Sequence, residues 1–411
     1  MLINYIIHRL KWSYRKNTPD IEALIRRGYP DFVFDSTPKS LKNEIPVFVF
    51  HSVKAEKLEE QLEFLYKNGY QTLSADEFYE VITCSKPVPE QAVLLTFDDG
   101  RGSLWTVAYP LLKKYGFQAV SFIIPGCIDE DTNCSPNLED VWAGRISLHQ
   151  IENRDFGSNP LCNWEEIRQM HASGIIDFQS HTMYHSLIFT SKRVVDFINP
   201  AFDFYLFSNI NVPVFTVNGM DNVKREAEWG TPIYDSEPRM SPRRRYFDDE
   251  ELRNRCIEYV KERGGADFFN TPGWRKELYK YFRKTRNQLS SKGYFETAEH
   301  QREAIFKDLY DSKTLIEKKL PGKTVNHLCY PWFIGSGLAV EMSKKAGYLS
   351  NFWGIMFGRW STRLEHNPYR IIRLEDKYLL RLPGTGRRSL REILGEKFLE
   401  NYPKLVKNLH F

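Results

Sequence analysis

No stretch of the 411 residues comes near the roughly 20 consecutive apolar residues of a membrane-spanning helix, which excludes such a span. The six cysteines (Cys84, Cys127, Cys134, Cys162, Cys256 and Cys329) include no CxxC pair, which argues against a disulfide framework and for free thiols in a reducing compartment. At the amino terminus a short apolar stretch precedes the first charges, the reverse of a secretory signal. The expectation is a cytoplasmic protein, with peripheral contact at the inner face of a membrane as the alternative. Charge of neither sign prevails: 57 Lys and Arg against 53 Asp and Glu leave a net charge of +4, which does not point to a nucleic-acid partner. No repeat of fixed period and no low-complexity segment occurs.

What is present suits a globular enzyme. Hydrophobic residues make up 42% of the chain, aromatics 14% and charged residues 27%, and the length allows one large α/β domain with additions. Residues 45–53 have the β-branched and aromatic run of a buried strand, with His51 at its carboxyl end. Residues 56–68 then set Leu58, Leu62 and Leu65 on one helical face ahead of Gly69. The unit recurs with a strand at 92–97, a helix at 104–115 stopped by Gly116, a strand at 119–124, a helix at 164–172 and a strand at 175–179. Apolar strands alternating with helices imply a parallel sheet covered on both faces, or a barrel, with chemistry at the carboxyl ends of the strands.

Residues 1–44 read as an amino-terminal extension and 45–374 as the main domain. Between 187 and 292 the alternation fades into Asn, Pro, Arg and aromatics, which reads as an insertion. It resumes with a helix at 298–320, a strand at 325–330, a helix at 339–346, a strand near Tyr348 and one more at 370–374. Residues 375–411 form a tail, with a basic amphipathic helix at 389–409. The run Arg243 to Arg245 reads as a solvated charge run, and the tail helix as packed on the barrel, ahead of any anionic or membrane contact.

Two strings carry chemistry. Thr96-Phe97-Asp98-Asp99-Gly100 ends a buried strand, so two adjacent carboxylates stand at the rim; one can bind a metal while its neighbour takes a proton from water. By itself this string is also a common turn composition. Ser180-His181-Thr182-Met183-Tyr184-His185 follows another strand, and histidines four apart on a first helical turn share one face. Alone, a histidine pair of this spacing is more often structural. Both strings at one active edge are another matter: a carboxylate and two imidazoles leave positions open for water and substrate.

TFDDG (96–100) and HTMYH (181–185) together resemble the polysaccharide deacetylases with the NodB-homology domain, carbohydrate esterase family four. The strand at 45–53, the stretch from Pro110, the stretch from Asn163 and Leu328-Cys-Tyr-Pro-Trp are also similar to that family. The resemblance spans about 45–187 and 298–374 and implies a distorted (β/α) barrel. It further implies a divalent metal, zinc above all, held by Asp99, His181 and His185, with Asp98 as general base. An N-acetylated glycan would be the substrate. Tyr330 would serve through its backbone N–H as oxyanion donor. Pro331 and Trp332 would line the substrate, although core packing is an equal reading for Trp332. A metal-dependent hydrolase of small amides and a glycan-binding protein without catalysis are the alternatives. The sequence sets no oligomeric state.

The family's third motif often opens with an arginine that orients the base, but Asn326-His327-Leu328 stands here. No clean Leu-x-His motif provides the general acid: Leu364-Glu365-His366 has the bare spacing without a strand leading into it. His51 could face the site instead. Arg370 and Arg373 read as ordinary salt-bridge formers ahead of any part in orienting Asp98.

Overall fold

In the computed structural model, which describes residues 10, 14, 18–38, 40, 41, 44–202, 209–355 and 367–396, the central element is a ring of parallel strands. They are β1 (Val47–Phe50), β2 (Ala92–Asp99), β3 (Ala119–Ile123), β4 (Ile176–Ser180), β5 (His327–Cys329), β6 (Ser350–Phe352) and β7 (Leu374–Glu375), paired in the order β6-β5-β4-β3-β2-β1-β7. The ring closes because Ile371 bridges in parallel to Phe352 of β6, and three residues later Leu374 pairs with Phe48 of β1. The Trp353 N–H donates to the Ile371 carbonyl at 2.7 Å and the Ile371 N–H to the Asn351 carbonyl at 3.0 Å, so the seam is hydrogen-bonded. The distorted (β/α) barrel is therefore present. The strand expected at 370–374 is shorter, since Pro368–Arg370 forms a 3-10 turn and only Leu374–Glu375 is extended in the sheet.

All eight residues of β2 are buried because helices cover the outside of the ring and side chains fill its inside. Leu94, Val120, Phe122, Cys329, Phe352 and Ile371 form the interior cluster. A helix at Ala75–Ile82, started by a Ser74/Glu77 capping box, adds Phe78, Val81 and Ile82 to that cluster at the amino-terminal ends of the strands. The helix expected at 104–115 opens instead with a π turn, Leu104–Ala108, before the α-helix Tyr109–Tyr115. Pro110 has no N–H to donate to Thr106, so the i to i−4 ladder is broken there.

Within 187–292, the strands Leu187–Phe197 and Pro232–Pro238 pair antiparallel with bulges, and the helices Glu250–Lys261 and Trp274–Gln288 pack beside them. These elements share their own apolar cluster, with Phe189, Phe197, Tyr234, Leu252, Leu278 and Phe282 at its centre. The long helix Ala298–Lys319 then returns the chain to the barrel, where Ser312 Oγ lies 2.8 Å from Ser180 Oγ at the end of β4. The amino-terminal extension and the tail are tied to each other: Arg381 donates to the Val33 and Asp35 carbonyls, and Arg387 to that of Ser36, each at 2.8 Å. The part of the expected tail helix beyond 396 lies outside the described residues, as does His366. All six cysteines are free. Among the described residues no helix is long and apolar enough to cross a membrane.

Candidate metal centre

Side chains alternate along a strand, so Asp98 shares the inward parity of Leu94 and Thr96 and points into the barrel mouth. The next residues leave the strand in the left-handed region, Asp99 at φ 71° and Gly100 at φ 74°. Gly100 is required twice over, by its φ and because a Cβ there would meet Ile123 Cγ2 at 3.0 Å. That turn keeps both carboxylates at one mouth, Asp98 1% and Asp99 3% exposed.

His181 extends the pairing of β4 by one residue, its N–H donating to the Ile123 carbonyl at 2.8 Å. The expected helical turn from Ser180 is absent. Residues 181–186 form an irregular loop with Thr182 at φ 66° and His185 at φ 53°. Its backbone is held from outside: the Met183 N–H donates to Asp308 Oδ1 at 2.9 Å, the Met183 carbonyl accepts from the Gly126 N–H at 3.0 Å, and the Tyr184 carbonyl accepts from Arg225. Left-handed non-glycine residues are costly and persist where surrounding contacts over-determine them, as they do here.

The loop brings three ligand atoms together. His181 Nε2 lies 3.5 Å and His185 Nε2 3.8 Å from Asp99 Oδ1, and the three groups place one ligand atom each within 4.8 Å of one another. His181 Nδ1 is 2.9 Å from the Cys329 carbonyl, an acceptor only, so Nδ1 carries a proton and Nε2 is the ring nitrogen left to face Asp99. Burial, then His181, lower the pKa of His185 to about 3, which keeps its imidazole neutral. Two imidazoles and a carboxylate form a cluster that could hold a metal ion. Cys329 also lies within such reach of Asp98 and His181, but its buried sulfur accepts from Arg373 Nη2 at 2.9 Å.

Asp98 is bound differently. Arg373 donates from Nη1 to Oδ1 at 2.6 Å and from Nη2 to Oδ2 at 2.7 Å, and also to Thr96 Oγ1, the Cys329 sulfur and the Trp353 carbonyl. Burial alone would raise the Asp98 pKa; Arg373, with His181 and His51, holds it below the usual carboxylate range. The same opposition at Asp99, with Arg101 its strongest partner, holds that carboxyl well down. Thus Arg373, read from sequence as an ordinary salt-bridge former, bonds the carboxylate that the third motif's missing arginine would have met.

His51 stands at the rim with 44% of its side chain exposed and Nε2 3.9 Å from Asp98 Oδ2. Desolvation lowers its pKa below the ordinary imidazole value, against the pull of Asp98 and Asp99. Trp332, at φ 56°, sets its ring 5.0 Å from that of His185 and packs with Ile124, Leu161 and Ile210. Pro331 begins the short 3-10 turn that carries Trp332. The Tyr330 N–H donates to the Phe352 carbonyl at 3.1 Å as part of the barrel pairing, and its hydroxyl accepts from Asn351 at 2.7 Å. The backbone group expected to meet an oxyanion is committed to the sheet.

Arg101, Arg225 and Asp308 went unread in the sequence. Arg101 adjoins TFDDG but has no pattern separating it from a solvated arginine, and the other two lie 40 or more residues from the loop they hold.

The barrel thus carries at its mouth a buried acid and histidine cluster that could hold a metal ion. More particularly, residues 85–198 match the polysaccharide deacetylase family, so the resemblance carried by TFDDG and HTMYH is borne out. The chain is 30% identical over 133 residues to the poly-β-1,6-N-acetyl-D-glucosamine N-deacetylase of Escherichia coli K12, covering 32% of this chain and 18% of that one. It is 27% identical over 160 residues to the enzyme so named in Staphylococcus aureus, covering 39% of this chain and 44% of that one. The chain thus spans less than half the length of these relatives. Among solved structures, a de-N-acetylase from Aggregatibacter actinomycetemcomitans aligns with 80% of this chain and 94% of its own at a TM-score of 0.47 and 18% identity. The BpsB deacetylase domain from Bordetella bronchiseptica aligns with 83% and 97% at 0.48 and 15%.

Proposed function

We propose that the protein is a metal-dependent N-deacetylase acting on N-acetylated amino sugars of a polysaccharide or its precursor, with Asp99, His181 and His185 as the metal ligands. The observation that carries the reading is the convergence of these three side chains beside a second, separately held carboxylate, Asp98. The tautomer of His181 and the neutrality of His185 suit a divalent ion, and the mixed nitrogen and oxygen donor set favours zinc. When bound, such an ion supplies Lewis acidity, polarising an amide carbonyl and lowering the pKa of water.

The chain's own residues do the rest. Asp98, pinned by Arg373 so that it cannot turn away, accepts the proton of the attacking water. Arg373 keeps the carboxylate charged until that moment. His51, with Nε2 3.9 Å from Asp98 Oδ2, passes the proton that Asp98 has taken on to the departing amine nitrogen. Water adds to the carbonyl carbon, the C–N bond breaks, and acetate and a free sugar amine leave. Trp332 with Ile124, Leu161 and Ile210 offers an apolar wall for the acetyl methyl group. With the Tyr330 N–H already spent, no backbone donor is assigned to the oxyanion.

The test is metal analysis of the purified protein followed by acetate release from N-acetylglucosamine oligomers, with Asp98→Asn as control. Stoichiometric metal in both proteins, with release by the wild type falling at least about 10²-fold in the variant, is expected. Metal without release would favour a small-amide hydrolase, and absence of metal a glycan-binding protein.

A further inference from the structure

We infer that Arg101 is a positioning residue of this centre, which reserves one oxygen of Asp99, leaves the other to the ion, and weakens the hold on that ion by offsetting the carboxylate's charge. The inference rests on the functional reading above. Arg101 Nε and Nη2 both reach Asp99 Oδ2 at 3.0 Å, whereas Oδ1 is the oxygen that faces His181 and His185. A carboxylate so divided offers one oxygen, not a chelating pair.

Arg101 is no surface side chain that happens to touch an acid. It is 6% exposed. Its carbonyl accepts from the Leu104 N–H at 2.9 Å and from the Cys162 thiol at 3.1 Å, and the residue bridges antiparallel to Leu161. The neighbouring N–H, that of Gly102, donates to the Pro160 carbonyl at 2.7 Å. The loop after β2 is thus clamped to residues 160–162, and the guanidinium has a fixed origin.

The consequence concerns charge. Asp98 is matched by Arg373 and Asp99 by Arg101, so two carboxylates and two guanidiniums cancel. A divalent ion beside them would keep its charge largely uncompensated by protein. That favours polarisation of a bound carbonyl and disfavours tight retention, because a buried cation behind the ligand oxygen repels the ion through a medium of low dielectric.

Zinc affinity of the purified full chain, measured by chelator competition, tests this with the replacements Arg101→Gln, Arg101→Met and Arg101→Lys. On removal of the like-charge repulsion the two neutral variants should bind zinc tighter by about 10-fold or more, and the lysine variant should stay within about threefold of wild type. Neutral variants that fold but bind zinc equally or more weakly would overturn the inference. Should they not fold, the zinc-loaded wild-type crystal structure decides: one Asp99 oxygen on zinc with Arg101 still on the other supports it, and a chelating Asp99 with Arg101 displaced refutes it. A wild-type chain that takes up no zinc removes the functional reading as well, whereas zinc uptake with unchanged variants removes this inference alone.

Discussion

Arg373 grips both oxygens of Asp98, at 2.6 and 2.7 Å, across 275 positions of sequence. Neither side chain is more than 1% exposed. In such a pair the loss of one partner strands a buried charge, at a cost of roughly 3–5 kcal/mol.

Arg373→Leu should therefore lower unfolding free energy by about that amount in urea titrations, and deacetylation with it. The double replacement Asp98→Asn, Arg373→Leu should recover part of the stability and none of the activity. A single variant as stable as wild type would show that the pair is not the buried clamp described here.

On the proposed reading, removal of a metal ligand acts on the ion rather than on the fold. His181→Ala and His185→Ala should each abolish stoichiometric zinc binding in metal analysis of dialysed protein, while Asp98→Asn retains it. Retention of zinc by His185→Ala would mean that the irregular 181–186 loop does not present its second imidazole to the ion.

Asp308 couples this loop to pH. Burial raises its pKa from 3.8 to about 6, although the Met183 N–H and Arg239 pull the other way. Between those values the folded chain holds a proton that the unfolded chain has released. The group's stabilising contribution is therefore complete below about pH 4 and is lost as pH rises through 6. Asp308→Asn keeps an acceptor for the Met183 N–H and never ionises. Its melting temperature should exceed that of wild type above pH 7, by the equivalent of about 1–2 kcal/mol, with the gap closing toward pH 4. A gap independent of pH would contradict the raised pKa.

His51 is exposed enough to be replaced without disturbing the core. His51→Ala should lower kcat by about 10²–10³-fold while zinc content and melting temperature stay unchanged. Full activity in this variant would remove His51 as proton donor.

The alternation of apolar strands with glycine-stopped helices made the barrel legible, because burial on both faces demands uninterrupted hydrophobic strands. Its closure was not legible: the seam at Ile371 is one bridge long, too short to impose a pattern on the sequence. The chain's order made Asp98, Asp99, His181 and His185 stand out, since each pair follows directly on such a strand. Their local geometry escaped it. HTMYH has helical spacing, yet the loop is irregular, because its N–H and carbonyl groups bond to Asp308, Gly126 and Arg225 instead of to one another.

By itself, then, the sequence determined which residue types reach the mouth of the barrel, because strand ends and side-chain alternation are local properties of the chain. Only the tertiary structure decided their partners. Arg373 on Asp98, Arg101 on Asp99, the Cys329 carbonyl on His181 and the Phe352 carbonyl on the Tyr330 N–H are contacts made by burial. A buried charge or N–H must find a partner wherever the fold supplies one, whatever the distance along the chain.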